Sequence, residues 1–385
     1  MNASCGKAFS IIDSLAEKYV SLWEDICNIE SPTSFKQGVD EVCDYLVDFS
    51  KKHGYAVEFC PQSRAGNIAA ITLNPDAALA PICLSAHMDT VHPVGSFGSP
   101  VVKSDGEKLY GPGVCDCKGG FAVALLIMEA LSKIGFSARP VKLILQSDEE
   151  VGSSLSSMDT VRFMCEQARG AEAFFNLEGA SEGFACIARK GIASFTFTVT
   201  GEEAHSSQCA KKGANAIIDA AHKMIMIDKL KDHDGITCNC AVIEGGTVVN
   251  TVPGKCSFKV NVRYVNAEQY EYVCKFFAEV ASTVHIKGCS CEVKEMGSRI
   301  AMELADRNLD LLSKMNGIFK DNGFSELVGV RRNGGSDAAY VTAAGIPCID
   351  SLGVFGGDIH SPSEHAYISS LAESAKRLAA FIICA

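Results

Sequence analysis

PICLSAHMDTV, residues 81–91, is an apolar run that ends in a histidine and an aspartate. Its first seven residues suit one strand and carry almost no charge, as a strand buried on both faces would. Downstream, PVKLILQ (140–146) and AFFNLE (173–178) have the same character. A helical stretch from about Gly120 to Ile134, closed by Gly135, separates the first two runs. Apolar strands alternating with helices predict an α/β fold with a mostly parallel sheet covered on both faces. Upstream, YAVEFC (55–60) and NIAAITL (67–73) read as further strands. The first 55 residues read as two helices: Phe9, Ile12, Ala16, Tyr19, Trp23 and Ile26 recur at helical spacing, as do Val39, Val42, Cys43, Leu46 and Phe49, with Gly54 as a stop.

After about residue 190 the pattern changes. ASFTFTVT (193–200) alternates like a half-solvated strand; a helix over Ala214–Ile227, CNCAVIEGG, CSFKVNVRY, a helix near Glu268–Thr283 and SCEVKEM follow. The order β-α-β-β-α-β matches a ferredoxin-like unit. Beyond about residue 298 the earlier alternation resumes, with helices over Leu304–Asn322 and Ser336–Ala344, a strand IPCID and a closing helix Ser370–Cys384. Residues 190–297 therefore read as a ferredoxin-like α+β domain inserted into an α/β domain made of 1–189 and 298–385.

The chain has 385 residues, a length that suits two domains. Apolar residues make up 47% and charged residues 21%, the balance of a globular rather than a disordered protein. Net charge is −11 and no Lys/Arg run is present, which argues against nucleic acid as a partner. No window holds eighteen uninterrupted apolar residues, so no membrane span is expected. The N-terminus lacks a charged segment followed by an apolar one, so no signal peptide is read there. The 18 cysteines are spread through apolar runs (Cys27, Cys43, Cys83, Cys186, Cys256, Cys384), as reduced core residues are. Cys115/Cys117, Cys238/Cys240 and Cys289/Cys291 lack the C-x-x-C spacing of a zinc ribbon. A cytoplasmic location is the expectation.

Chemistry-bearing residues gather where the strands end. His87 and Asp89 stand two apart; strand alternation puts both on one side, and a carboxylate there can hold the second nitrogen of a ligating imidazole. A strand-end histidine with a chance neighbour would look the same. YGPGVCDCKGG (110–120) sets Asp116 in a Gly-rich loop, where one carboxylate can come close enough to bridge two cations, although Asp in such a loop is also an ordinary turn residue. LILQSDEEVGS (143–153) places Asp148, Glu149 and Glu150 after a strand. Their repulsion is relieved by cations; with two metals Glu150 would ligate and Glu149, pointing the other way, would be the general base, while a solvated acidic turn is the bland alternative. Glu178 ends FFNLEGA and His360 lies in GGDIHSPSEH, and each alone is an ordinary loop residue. Taken together, two histidines and three carboxylates beyond the strands of an α/β sheet suit two zinc ions, with cobalt or manganese as substitutes.

HMDTV, YGPGVCDCKGG, the DEE run and GGSDAAY…GIPCIDSLG…H occur in this order. From about residue 80 to its end the chain thereby resembles the two-zinc superfamily of carboxypeptidases, aminoacylases and deacylases, bacterial glutamate carboxypeptidases most of all. The resemblance implies a catalytic domain over 1–189 and 298–385 and a dimerisation (lid) domain over 190–297. It implies that His87 and Glu178 hold one zinc and that Glu150 and His360 hold the other. Asp116 would bridge them, followed by a cis peptide to Cys117, where relatives often carry Asp or Met. Glu149 would be the base and Asp89 the partner of His87. His205 in GEEAHSS matches a histidine that reaches the partner subunit's active site, which implies a homodimer through the inserted domain. Asn250 in TVVNTVP and Arg263 in NVRY match substrate-side positions. Arg332, just before NGGSDA but at a different spacing, resembles an arginine that binds the substrate's carboxylate. The implied substrate is a small peptide or N-acyl amino acid with a free carboxylate beside the scissile amide.

Plainer readings stand beside these. His205 in a polar loop would be solvated, Arg263 could form a structural ion pair, and Lys118 and Lys190 would be surface or structural residues. His92 and His365 lie near ligand motifs without matching them. Ser336 and Asp337 fit a helix N-cap. Among hydrolases, the GGSDAAY…IDSLG likeness favours a carboxypeptidase over an N-acyl-amino-acid deacylase or desuccinylase. A di- or tripeptidase is less expected, because such relatives tend to use Asp where this chain has Glu178. A non-catalytic binding protein would have lost a ligand or the base, and all six are present here.

Overall fold

The computed structural model describes residues 2–230 and 235–385. The chain divides into two units. The first runs to Ile187 and resumes over Leu304–Arg331 and Ser336–Ala385; the second comprises Ala188–Glu303 and Arg332–Gly335.

A six-stranded sheet organises the first unit. From edge to edge its strands are Ala56–Cys60, Ile68–Leu73, Val141–Gln146, Ile82–His87, Ala173–Asn176 and Cys348–Ile349. The last four run parallel, whereas each of the first two is antiparallel to its neighbour, so the sheet is mainly parallel with an antiparallel margin. All six residues of Ile82–His87 are buried, as a central strand with both faces covered requires. Register brings the strand ends level: His87 lies opposite Gln146 and Ser85 opposite Asn176. Glu149, Glu150 and Glu178 are therefore a few residues beyond the same carboxyl edge as His87.

The helix Gly119–Lys133 is buried along one side and the other from Gly119 to Leu131. It packs against the sheet and against the helices Ala3–Asn28 and Ser369–Cys384. Two glycines permit that approach. A Cβ on Gly119 would stand 2.5 Å from Val354 Cγ2, and one on Gly120 would stand 2.6 Å from the Leu177 carbonyl oxygen. Trp23, fully buried, donates its Nε1–H to Val114 O at 3.0 Å and so ties the first helix to the Gly-rich loop.

Some elements differ from the expectation. IPCID narrows to Cys348–Ile349. A nine-residue helix forms over Asp159–Gln167, where little periodicity can be read because only Thr160, Val161 and Met164 are buried. Gly356–Gly357, His365–Tyr367, Lys108–Tyr110 and Lys103–Ser104 form a separate small sheet that frames the His360 loop. Strands of two or three residues carry no pattern in sequence.

In the second unit a four-stranded antiparallel sheet has the order Thr237–Gly245, Lys255–Tyr264, Gly191–Thr200, Ser290–Arg299. Helices Ala216–Asp228 and Ala267–Ser282 complete the β-α-β-β-α-β succession. Its core is aromatic: Phe197 stacks on Phe258 at 4.8 Å between centroids and meets Phe277 edge-on at 5.3 Å. The unit is wider than 190–297 and takes in Arg332–Gly335 from beyond the insertion. The Arg189 guanidinium donates to Gly334 O at 3.2 Å and that of Arg263 to Asn333 O at 2.5 Å, which anchors the stray segment there. No helix among the described residues is long and apolar enough to cross a membrane.

Gly120→Ala should push the Gly119–Lys133 helix off Leu177, the residue before Glu178, at an overpacking cost of ~1–3 kcal/mol. Thermal unfolding of the metal-free protein should show the loss as a lowered midpoint; an unchanged midpoint would mean that the helix can shift freely.

Candidate metal centre

His87 is the last residue of the central strand and is buried. Its Nδ1 lies 2.9 Å from the Asp89 backbone carbonyl and 3.5 Å from Asp89 Oδ1. The ring is thus held mainly by the carbonyl, and the Asp89 carboxylate has further work. Fully buried, it accepts from Thr33 Oγ1 at 2.7 Å, from the Glu149 N–H at 3.2 Å and from the Glu150 N–H at 3.1 Å. Those N–H groups open the 3-10 turn Glu149–Val151. Asp89 therefore orients both the histidine strand and the acidic turn beside it.

The acidic run is divided rather than clustered. Asp148 accepts from Ser156 N at 2.9 Å and Thr160 Oγ1 at 2.8 Å, so it organises the loop that follows instead of joining the ligands. Glu149 and Glu150 belong to the turn, Glu149 buried and Glu150 facing His360.

Asp116 sits in the Gly-rich loop, and the Asp116–Cys117 peptide is cis. What holds this loop is a residue the motif reading did not single out. Glu364, almost wholly buried, accepts from the N–H groups of Gly113 (3.2 Å), Cys115 (2.9 Å) and Asp116 (3.0 Å), and its Oε2 lies 2.8 Å from His92 Nε2. His92, near the ligands without matching them, thus serves as a partner of Glu364. On the other side of Asp116, Lys118 is fully buried rather than on the surface, and its Nζ donates to Ile26 O at 3.1 Å and Ile29 O at 2.7 Å. Burial pushes the Lys118 ammonium down to about 8.

These supports aim the two oxygens of Asp116 in different directions. Oδ1 is 3.2 Å from His87 Nε2, which is 3.7 Å from Glu178 Oε1. Oδ2 is 3.1 Å from His360 Nε2, which is 3.3 Å from Glu150 Oε2. Two donor groups result, His87–Asp116–Cys117–Glu178 and Asp116–Glu150–His360, each with ligand atoms within 4.8 Å of one another. His360 itself has φ +61°, in the sparsely allowed left-handed region.

A divalent cation fits both groups. Donors on one tetrahedral ion with bonds of ~2.1 Å are ~3.4 Å apart, close to the separations observed here. The electrostatics agree. Burial opposes ionisation of Asp116, yet hydrogen bonds from His360 and His87 hold its carboxyl well below the usual range. Burial pushes Glu178 up to about 8 and Glu150 up to about 7, the nearby Asp116 charge adding to both. The Asp116 and Glu150 carboxylates raise His360 to about 10. Three carboxylates share this enclosed space, and a cation is the natural compensation.

The remaining expected residues lie in the second unit. His205 is exposed, with Nδ1 2.8 Å from Ser207 Oγ, and the Asn250 carbonyl accepts from the next residue's N–H, that of Ser206, at 2.9 Å. Arg263 and Arg332 are both partly buried and are linked through the Asn333 backbone. Ser336 accepts from the Ala338 N–H at 3.2 Å as a cap would, but its own hydroxyl donates to Asp350 at 2.6 Å.

The profile of the group described as Peptidase family M20/M25/M40 matches residues 83–383. The chain belongs to this family. M20 metallohydrolases are metal-dependent, and among the described residues the two donor groups are the ones able to hold metal ions. Carboxypeptidase G2 from Pseudomonas is 27% identical over 90% of this chain and 84% of its own length. Acetylornithine deacetylase from Myxococcus xanthus is 27% identical over 64% of this chain and 67% of its own. The fold of aminopeptidase PepT from Bacillus cereus superposes with a TM-score of 0.78 at 22% identity, over 95% of this chain and 98% of that one.

Glu364→Gln keeps the shape but cannot accept with both ends, so the Asp116 loop should loosen. Metal affinity of this M20 chain should fall by roughly 10–100-fold, read by competition with a chromophoric chelator. Unchanged affinity would confine Glu364 to folding.

Proposed function

We propose that the chain hydrolyses an amide bond adjacent to a free carboxylate, as a glutamate-type carboxypeptidase that uses two zinc ions, with cobalt or manganese as substitutes. The observation that carries this reading is the division of the Asp116 carboxylate, one oxygen toward His87 and the other toward His360. His87 and Glu178 would hold one ion, Glu150 and His360 the other, with Asp116 shared between them. When bound, such a pair polarises the scissile carbonyl and acidifies a water. Glu149 takes a proton from the attacking water and returns it to the leaving amine nitrogen. Its turn is fixed through Asp89, so the carboxylate is positioned before substrate arrives. His205 of the partner subunit donates to the developing oxyanion. Asn250 is on the substrate side, and Arg332 or Arg263 clamps the substrate carboxylate through paired N–H donors.

A homodimer through the inserted domain is supported by apolar side chains left outside. Ile218 and Ile225 on the helix Ala216–Asp228 are 45% and 64% exposed, and Val242 and Ile243 on the edge strand Thr237–Gly245 are 44% and 50% exposed. Cysteines used as small core residues, such as Cys27, Cys43 and Cys83, suit a reducing, cytoplasmic setting. The name of carboxypeptidase G2 supports the carboxypeptidase reading, and that of acetylornithine deacetylase supports the second one, removal of an acyl group from an amino acid. A panel of N-acyl and N-benzoyl glutamates, other N-blocked amino acids and dipeptides, assayed with zinc, cobalt and manganese, separates them; no hydrolysis of any would overturn both.

Glu149→Gln should reduce kcat by at least ~10²-fold while both metals stay bound, as checked by elemental analysis. Loss of metal would instead make Glu149 a ligand. A dimer of Glu149→Gln subunits mixed with one of His205→Ala subunits should regain partial activity, because one of the two symmetric sites in each hybrid is intact. If labelled subunits exchange and no activity returns, the shared site is wrong.

A further inference from the structure

The two donor groups around Asp116 are not chemically alike. One offers nitrogen and oxygen alone, from Asp116, Glu150 and His360; the other adds the sulfur of Cys117 to His87, Asp116 and Glu178. We propose that the Cys117 sulfur is a further ligand of the cation held by His87 and Glu178, and that it makes this position selective for thiophilic ions. The inference rests on the two-cation reading above and deepens it.

The placement of the sulfur supports this. Cys117 has no exposed surface, and its Sγ falls within 4.8 Å of the ligand atoms of His87, Asp116 and Glu178. Donors sharing one ion, with bonds of ~2.3 Å to sulfur and ~2.1 Å to nitrogen or oxygen, are ~3.6 Å apart, so a closure of about 1 Å suffices. The backbone N–H of His87 points at the same sulfur from 3.1 Å, an arrangement that stabilises negative charge on it. Cys27 and Cys43 belong to the same apolar core as Cys117, but neither lies beside a histidine and two carboxylates as Cys117 does. Among the described residues no other cysteine joins a donor group.

Cys117 is also poorly able to turn away. The Gly120 N–H donates to its carbonyl at 2.9 Å, and the next residue, Lys118, is pinned through Nζ to Ile26 O and Ile29 O. As the sulfur–metal bond forms, the thiol proton leaves to solvent and no oxidation state changes. Thiolate favours zinc, cadmium or cobalt over manganese, whereas carboxylate and imidazole discriminate less. The two positions should therefore fill in order with a thiophilic ion and tolerate different ions: sulfur-selective beside His87, permissive beside His360.

Cobalt titration of the metal-free full chain tests this. The wild type should develop a near-ultraviolet sulfur-to-cobalt charge-transfer band that saturates with one equivalent. Cys117→Ser should lose that band while keeping visible ligand-field absorption. Cobalt bound with no charge-transfer band in the wild type, or a band that survives Cys117→Ser, would overturn the sulfur ligand and leave the two-cation reading standing. Failure to bind cobalt, zinc or manganese at all would remove both. Should Cys117→Ser not fold, X-ray absorption at the zinc edge of the singly loaded wild type decides: a sulfur scatterer supports the ligand and a shell of light atoms alone refutes it.

Discussion

Burying several carboxylates in one enclosure is electrostatically unfavourable, and the first unit is arranged around that difficulty. Asp116, Glu150 and Glu178 converge with two imidazoles at the carboxyl edge of the sheet. Without compensation, burial drives Glu150 and Glu178 toward their neutral forms while the imidazoles retain their protons. Protons on these groups and cations between them are alternative answers to the same charge. Separations of 3.1–3.7 Å between the donors accommodate either answer: the shorter ones suit hydrogen bonds, and all are close to the spacing around one small ion.

Two further buried carboxylates make that geometry possible by taking backbone N–H groups as their partners. Asp89 gathers those of Glu149 and Glu150, and Glu364 gathers those of Gly113, Cys115 and Asp116. A carboxylate satisfied by several N–H donors keeps its charge at low cost and fixes the loop that supplies them. The acidic turn and the Asp116 loop are thus each held by an acid from elsewhere in the chain. Glycine does the complementary work at positions 119 and 120, where absent side chains let a helix rest directly on the strand end that leads into Glu178.

Much of this was legible in the sequence, for identifiable reasons. His87, Asp116, Glu150, Glu178 and His360 each follow an apolar run or a Gly-rich stretch, and such places announce strand ends. The ferredoxin-like succession was legible because its strands are long and alternate. Glu364 was not, since most of its partners are backbone groups and any polar loop contains an acid. Asp89 was seen as the holder of His87, but its larger role toward the acidic turn depends on the register between two strands distant in sequence. Asp148 belonged visually to the DEE run and is turned away by Ser156 and Thr160. The short strands framing His360 and the return of Arg332–Gly335 to the second unit depend on tertiary contacts that no local pattern records.

The first unit is discontinuous, and that has a consequence for biosynthesis. Its sheet closes with Cys348–Ile349, and both His360 and Glu364 follow that strand. On the ribosome, the segment to Ile187 emerges with its Ala173–Asn176 edge unpaired and the Asp116 loop lacking its Glu364 clamp, and the whole second unit is translated before either is supplied. A nascent chain accordingly has the first donor group in sequence long before it has the second. The two donor groups can act together only once the segment beyond Cys348–Ile349 has been made and has folded back against the Asp116 loop.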